Sequence, residues 1–224
     1  LRAFNVEVSN NADMSYYEIK RQKYQSTDYQ VEGDWSSAAF MIAAGAIAGD
    51  VTINNLSKQS HQADKAILKI LEEMGADFNT YQNSVQVVKS QLSPLKYDLE
   101  NSPDLFPIVT ALCAYANGES KLTGLSRLKY KESDRLTAMI EGLKKMNIKL
   151  KLEENTLTIQ GGTPQGARVD SYQDHRIAMA FAIIALNADG ETLITDSECV
   201  SKSYPSFWKH LQDLGTSLRS DKNE

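Results

Sequence analysis

The chain has 224 residues, 42% of them hydrophobic and 24% charged, with a formal net charge of −5. That length holds one large or two small domains with a sizeable core, and the acidic balance leaves no domain-wide basic face for nucleic acid. The longest apolar run, Ala38 to Ala48, is rich in small residues and stops at Gly49-Asp50, too short to span a membrane.

The chain opens "LRAFNVEV", with no Met and no signal-peptide pattern, and this start predicts a fragment of a longer gene product. "FNVEV" (4–8) and "YYEIK" (16–20) alternate as a strand pair should. "GDWSSAAFMIAAGAIAG" (33–49) then predicts a helix apolar nearly all round, opened by Asp34. A glycine junction, "AIAGDVTINNLS", leads through a short variable stretch to an amphipathic helix in "DKAILKILEEMGADF", closed by Gly75. A second strand pair follows, "ADFNTY" and "SVQVV". The next buried helix lies in "SPDLFPIVTALCAYANG" and opens with Asp104. After "YANGESKLTGLS", Leu136, Met139, Ile140, Leu143 and Met146 mark one apolar helix face, closed by Asn147. "IKLKLEENTLTI" supplies the third strand pair, turning at Glu-Asn. The last buried helix opens at Asp174 in "YQDHRIAMAFAIIALNADG". "ALNADGETLITDS" then leads to "YPSFWKHLQDLGTSL", with Pro205 at or near the first turn and Gly215 at the end.

These elements repeat. The junction glycines Gly49, Gly118 and Gly190 stand 69 and 72 residues apart, and Asp34, Asp104 and Asp174 stand 70 apart. The pattern predicts an α/β fold of three related units with buried helices under mixed sheets. Aspartate is a favoured N-cap, so all three aspartates are expected to cap their helices. Helix N-termini pointing the same way would also gather partial positive charge into an anion-binding floor.

Two cysteines give no disulfide or metal pattern and fit a reducing cytoplasm. Cys113 lies in an apolar run and is expected to be buried, while Cys199 falls in a loop-like stretch. His61, His175 and His210 show no metal-ligand spacing. The densest chemistry is "LKYKESDRLTAM" (128–139), where Lys129, Lys131, Glu132, Asp134 and Arg135 crowd a helix start. Asp and Glu suit that position, but Lys131 and Arg135 do not unless an anion is shared between them and the helix end. The plainer reading is a solvated helix face with i,i+4 pairing.

Four stretches decide between these readings: "YQVEGDWSSAAF" (29–40), "YKESDRL" (130–136), "DSYQDHRIAMAFA" (170–182) and "CVSKSYPSFWKHL" (199–211). In this order they closely resemble the C-terminal half of the 5-enolpyruvylshikimate-3-phosphate synthase family, and the resemblance covers the whole chain. It implies a fold of two lobes, each built of three βαβαββ units. Residues 1–31 would be the tail of an otherwise missing N-terminal lobe and the crossover, and 32–224 the C-terminal lobe. The implied reaction transfers the enolpyruvyl group of phosphoenolpyruvate to the 5-hydroxyl of shikimate 3-phosphate and releases phosphate. This is a step of the shikimate pathway to chorismate and the aromatic amino acids. It implies no metal and no organic cofactor, a cytoplasmic enzyme that is monomeric at full length, and the missing lobe as a partner alongside the two substrates.

The resemblance also implies roles. Asp104 in "SPDLFP" would hold the shikimate hydroxyls and accept the proton. Glu132 of "KESDR" would protonate phosphoenolpyruvate, an acid role that needs bound anions to offset Lys131 and Arg135. Lys131 would contact both substrates, and Arg135, Arg176 and Lys202 would clamp phosphoenolpyruvate, arginine forks suiting carboxylate or phosphate bidentately. His175 would serve beside the proton relay as a hydrogen-bonding group. Some members carry an asparagine four residues before the motif lysine; Arg127 stands there here, and the role does not carry over. The other lobe's Lys-Ser pair, arginines and Ser-Ser-Gln stretch are not found. Two alternatives stay open at this point: a sister transferase acting on a UDP-sugar, and a non-catalytic lobe kept as a binding domain.

Overall fold

The computed structural model describes residues 1–220. The chain divides into two units, Leu1–Glu32 and Gly33 onward. In the first unit, β1 (Ser9–Asn10) pairs antiparallel with β2 (Tyr17–Glu18). The first strand therefore falls after "FNVEV" and not within it. Arg2–Phe4 form a 3-10 turn closed by Asn5 at φ 55°, which uses up residues that the alternation assigned to a strand. Within this unit Val6 is the buried hydrophobic residue.

The second unit carries the repeat. Its first segment contains α1 (Trp35–Ala48), β3 (Val51–Asn54), α2 (Ile67–Glu73), β4 (Phe78–Thr80) and β5 (Ser84–Val87). The second contains β6 (Lys96–Asp98), α3 (Phe106–Ala114), β7 (Glu119–Thr123), α4 (Arg135–Lys145), β8 (Lys149–Glu153) and β9 (Thr156–Gln160). The third contains β10 (Arg168–Asp170), α5 (His175–Ala185), β11 (Leu193–Thr195) and α6 (Phe207–Asp213). The middle segment is a full βαβαββ unit with a mixed sheet ordered β6-β7-β9-β8, in which β6 and β7 run parallel. The first segment shows the antiparallel part as β3-β5-β4, and the third shows the parallel pair β10-β11. The short parallel strands β6 and β10 had no periodic signal, since three residues carry too few side chains to show one.

The helices α1, α3 and α5 pack against one another at the centre. Every residue of α3 is buried, as their all-round apolar character demands. The outer helices α2, α4 and α6 end alike, with Gly75, Asn147 and Gly215 at φ 69°, 63° and 98°. In each case the next N–H reaches back five residues: Ala76 to Leu71, Ile148 to Leu143, and Thr216 to Leu211, all at 3.0 Å. These are Schellman ends, which satisfy the last carbonyls. Cys113 is buried in α3, and burial pushes its thiol up to about 12. Cys199 is also buried, not looped out, because it lies inside the 3-10 turn Ser197–Lys202. Pro205 precedes α6 by two residues and sits outside its first turn. Among the described residues no helix is long and apolar enough to cross a membrane.

Gly142 fixes how closely α4 approaches α5. A Cβ there would lie 1.9 Å from Cζ of Phe181, which is itself fully buried. Gly142→Ala gains about 1 kcal/mol of helix propensity but overpacks a closed core, at about 1–3 kcal/mol. A net loss of about 1 kcal/mol is expected in urea unfolding, and a gain would show that Phe181 yields.

Candidate active site

The starts of α1, α3, α4 and α5 come together. Asp34 caps α1, accepting from the N–H groups of Ser36 and Ser37 at 3.1 and 3.0 Å. Asp174 caps α5, accepting from the N–H of Arg176 at 2.9 Å. Asp104 breaks the pattern. It lies inside the 3-10 turn Pro103–Leu105, and α3 begins after Leu105 with no side-chain cap. The Pro103 turn advances the chain before the helix starts, so the Asp104 carboxylate is not committed to the helix end.

Three cations surround Asp104. Lys131 Nζ is 3.0 Å and Arg135 Nη1 2.7 Å from Oδ1, and Arg176 Nη2 is 3.6 Å from Oδ2. Burial pushes the carboxyl up, but Arg176, Lys131 and Arg135 together more than offset it and hold it below its ordinary value.

Arg135 is fully buried. Besides Asp104 it donates through Nε to Asp174 Oδ2 at 2.8 Å and through Nη2 to Glu132. One guanidinium thus holds three carboxylates, two from the second segment and one from the third, a geometry its planar fork allows and lysine's point charge does not. Burial works against its charge, yet Asp174, Glu132 and Asp104 hold its proton more firmly than usual. Ser133 Oγ adds a bond to Asp174 at 3.0 Å. Burial likewise pushes Asp174 up, and Arg135 pulls it below its ordinary value.

Helix α4 begins only at Arg135, capped by Asp134 on the Thr137 N–H at 3.1 Å. Lys131 therefore precedes the helix and shares no helical face with Arg135. Both still reach Asp104, because the link between the 3-10 turn Leu128–Tyr130 and α4 is extended at Lys131.

Tyr172 and Gln173 precede the Asp174 cap with φ 53° and 54°. Two consecutive left-handed residues cost about 1–3 kcal/mol each and need outside support. Asp170 supplies it by accepting from the Tyr172 N–H at 2.6 Å, and Ser171 Oγ accepts from the Gln173 N–H at 3.1 Å. This turn delivers Asp174, His175 and Arg176 to the site. It also presents the Gln173 carbonyl to Lys202 Nζ at 3.4 Å. Lys202 and Glu132 lie on an open recess of about 600 Å³, lined as well by Asp170, Tyr172, Gln173 and Asp196.

His175 is the first residue of α5. Its Nδ1 is buried without a hydrogen-bond partner, 3.9 Å from Asp174 Oδ1. Burial holds its pKa below the ordinary value, opposed by Asp174 and aided by Arg176, so the ring is neutral at neutral pH. Asp104, Lys131, Glu132, Arg135, His175 and Arg176 are thus gathered, with Lys202 across the recess beside Glu132.

Sequence reasoning missed Asp64 and Ser36 and took Asp174 only as a cap. Asp64 is buried, accepts from Ser36 Oγ, and lies 3.9 Å from Arg176 Nη1. Its signal was in the repeat, because Asp64 stands 70 residues before Asp134. Among the described residues no group of three or more His, Cys, Asp or Glu could hold a metal ion. The arrangement suits handling of an anionic substrate: several fixed cations, one carboxylate kept ionised among them, and a second carboxylate at the recess.

The family model described as "EPSP synthase (3-phosphoshikimate 1-carboxyvinyltransferase)" matches residues 1–211. A 3-phosphoshikimate 1-carboxyvinyltransferase of Dehalococcoides mccartyi is 45% identical over 99% of this chain and 52% of its own length. One from Pyrococcus abyssi is 44% identical over 95% of the chain and 51% of its own length. The solved EPSP synthase from Acinetobacter baumannii superposes with a TM-score of 0.86 at 27% identity, over 99% of this chain and 54% of that one. The chain spans about half the length of the curated relatives it matches.

Asp174→Ala leaves the buried Arg135 short of a partner and uncaps α5. Breaking a buried pair costs about 3–5 kcal/mol, and that loss is expected in denaturant unfolding at neutral pH. The sign with acid follows from the lowered pKa. The Asp174 carboxylate stabilises the fold above its ordinary value of 3.8, and the contribution is lost as pH falls through its lower folded value. The variant should therefore lose less stability between neutral and strongly acid pH than the parent.

Proposed function

Because the chain belongs to the EPSP synthase family, we propose that it supplies about half of an enzyme that transfers the enolpyruvyl group of phosphoenolpyruvate to the 5-hydroxyl of shikimate 3-phosphate. The observation that carries the reading is Asp104, uncapped and set among Lys131, Arg135 and Arg176. A carboxylate kept ionised in this way can accept the proton of the attacking hydroxyl. The hydroxyl oxygen bonds to C2 of phosphoenolpyruvate while Glu132 gives a proton to its methylene carbon. Loss of that proton and cleavage of the bond from C2 to the phosphate oxygen then form the product and release phosphate.

In this reading Arg176, Lys131 and Lys202 receive the carboxylate and phosphate charges. Arg135 shares that clamp, but its donors are committed to Asp104, Asp174 and Glu132. Its main task is to aim the base and the acid. An anion arriving beside these cations competes with Glu132 and Asp104 for them. His175, neutral next to the relay, offers a ring nitrogen without adding charge.

Residues 1–31 are read as the tail of the other lobe, which would grip the shikimate phosphate. The reading places the whole enzyme in the cytoplasm as a monomer. The decisive assay follows phosphate release by the full-length protein with shikimate 3-phosphate and, separately, with a UDP-sugar acceptor. Release with the sugar alone would move the chain to the sister activity.

Asp104→Asn in the full-length enzyme should lower turnover by roughly 10²–10⁴-fold, as for a lost general base, with substrate binding less affected. Near-normal turnover would remove Asp104 from the mechanism. The 224-residue chain alone should fold, bind anions weakly and not turn over, because remote phosphate binding normally helps to position the reacting hydroxyl. Adding the other lobe in trans should restore phosphate release. Substantial activity from the chain alone would refute the half-enzyme reading.

A further inference from the structure

The two arginines of the site are held differently. Arg135 makes short bonds to its carboxylates. Arg176 meets its two carboxylates at 3.9 Å on Asp64 and 3.6 Å on Asp104, beyond hydrogen-bond length, with one 3.5 Å bond to the Asp104 carbonyl. It is held by charge more than by hydrogen bonds, so an incoming anion can take its donors.

Asp64 depends on that arginine. Its side chain is 8% exposed. The groups facing it are Ser36 and Asp34 from α1, Asp104 from the turn before α3, and Arg176 from α5. Ser36 donates one hydrogen bond, Asp34 and Asp104 repel, and Arg176 alone of these is a cation. The repeat shows how the carboxylate came free. Asp134, 70 residues later, caps α4 on Thr137. Asp64 instead sits inside the 3-10 turn Ala63–Ala66 and makes no cap bond there. The aspartates that depart from capping, Asp64 and Asp104, are the two that flank Arg176.

We propose that Asp64 is the counter-ion of Arg176 in the empty site and takes up a proton when an anion occupies Arg176, so that anion binding is coupled to proton uptake. The proton comes from the buffer, and the only bond formed is O–H on the Asp64 carboxyl. Once Arg176 turns to the anion, a buried carboxylate would be left with one hydrogen bond and two acidic neighbours besides the anion itself, and neutralisation is its cheapest outcome. Burial already holds this carboxyl above its ordinary value against the pull of Ser36 and Arg176. The inference rests on the proposed function only in taking Arg176 as an anion receptor.

The test uses the full-length protein with two probes, phosphoenolpyruvate and sulfate, the latter having no titration near neutral pH. Calorimetry in buffers of different ionisation enthalpy counts protons taken up per anion bound. The parent should take up roughly half a proton more than Asp64→Asn at about pH 6, any titration of the ligand itself being common to both proteins. Parent affinity should rise as pH falls, and the variant should bind at neutral pH as tightly as the parent or a few-fold more tightly. Equal proton counts, or weaker binding by a variant of unchanged melting temperature, would overturn the proposal. A carbon NMR titration of Asp64 in the parent needs no variant. Its midpoint should rise by about one unit or more on adding sulfate, and an unmoved midpoint refutes the coupling. If sulfate moves the midpoint while phosphoenolpyruvate does not bind, the enolpyruvyl reading falls and the coupling stands. If phosphoenolpyruvate binds and the midpoint stays, the reverse holds.

Discussion

A buried guanidinium is the constraint on which the rest of this structure depends. Arg135 has no exposed surface, and taking its charge out of water costs several kcal/mol unless its donors are matched. The match comes from Asp104 before α3, Glu132 before α4 and Asp174 at the start of α5. Satisfying one side chain therefore docks three helix starts together. The same demand assembles the groups that do the chemistry, because two of those carboxylates are the candidate base and acid.

The repeat makes this economical. Each segment offers a buried helix with an aspartate at the same place, and Asp34 and Asp174 use it to cap. The site arises where the capping lapses. Pro103 and the turn that follows release Asp104, and the turn at Ala63–Ala66 releases Asp64. The equivalent positions Ser36, Phe106 and Arg176, spaced 70 residues apart, hold a hydroxyl, a ring and a cation. Only the third segment places a charge there, and it meets the freed carboxylates of the other two. Stability favours three identical ends, whereas chemistry here uses their differences.

Strain is spent in the same region. Tyr172 and Gln173 hold left-handed backbones next to the Asp174 cap, and Asp196 holds a third across the recess. Such conformations persist only where neighbours over-determine them. Asp170 and Ser171 do so here, and the carbonyl thereby turned outward meets Lys202.

Much of this was legible in the residues. Apolar faces on all sides predicted the buried α1, α3 and α5, and the positions of Gly75, Asn147 and Gly215 predicted the helix ends that form. Those are local properties, decided within a few residues by side-chain periodicity and backbone sterics. The motif order marked Asp104, Lys131, Glu132, Arg135, Arg176 and Lys202, and the family followed from it. Other features depended on packing. The alternation in "FNVEV" lost to a 3-10 turn at Asn5, and β6 and β10 were too short to announce themselves. Whether Asp104 caps or turns to a set of cations is not a property of its own sequence window, since an aspartate before an apolar helix reads the same in both cases. Nor could Lys131 and Arg135 be placed by a helical face that one of them does not share. Tertiary structure decided these points, because an ionised group's role is set by which charges reach it through space, and those around Asp104 come from residues 27 to 72 positions away.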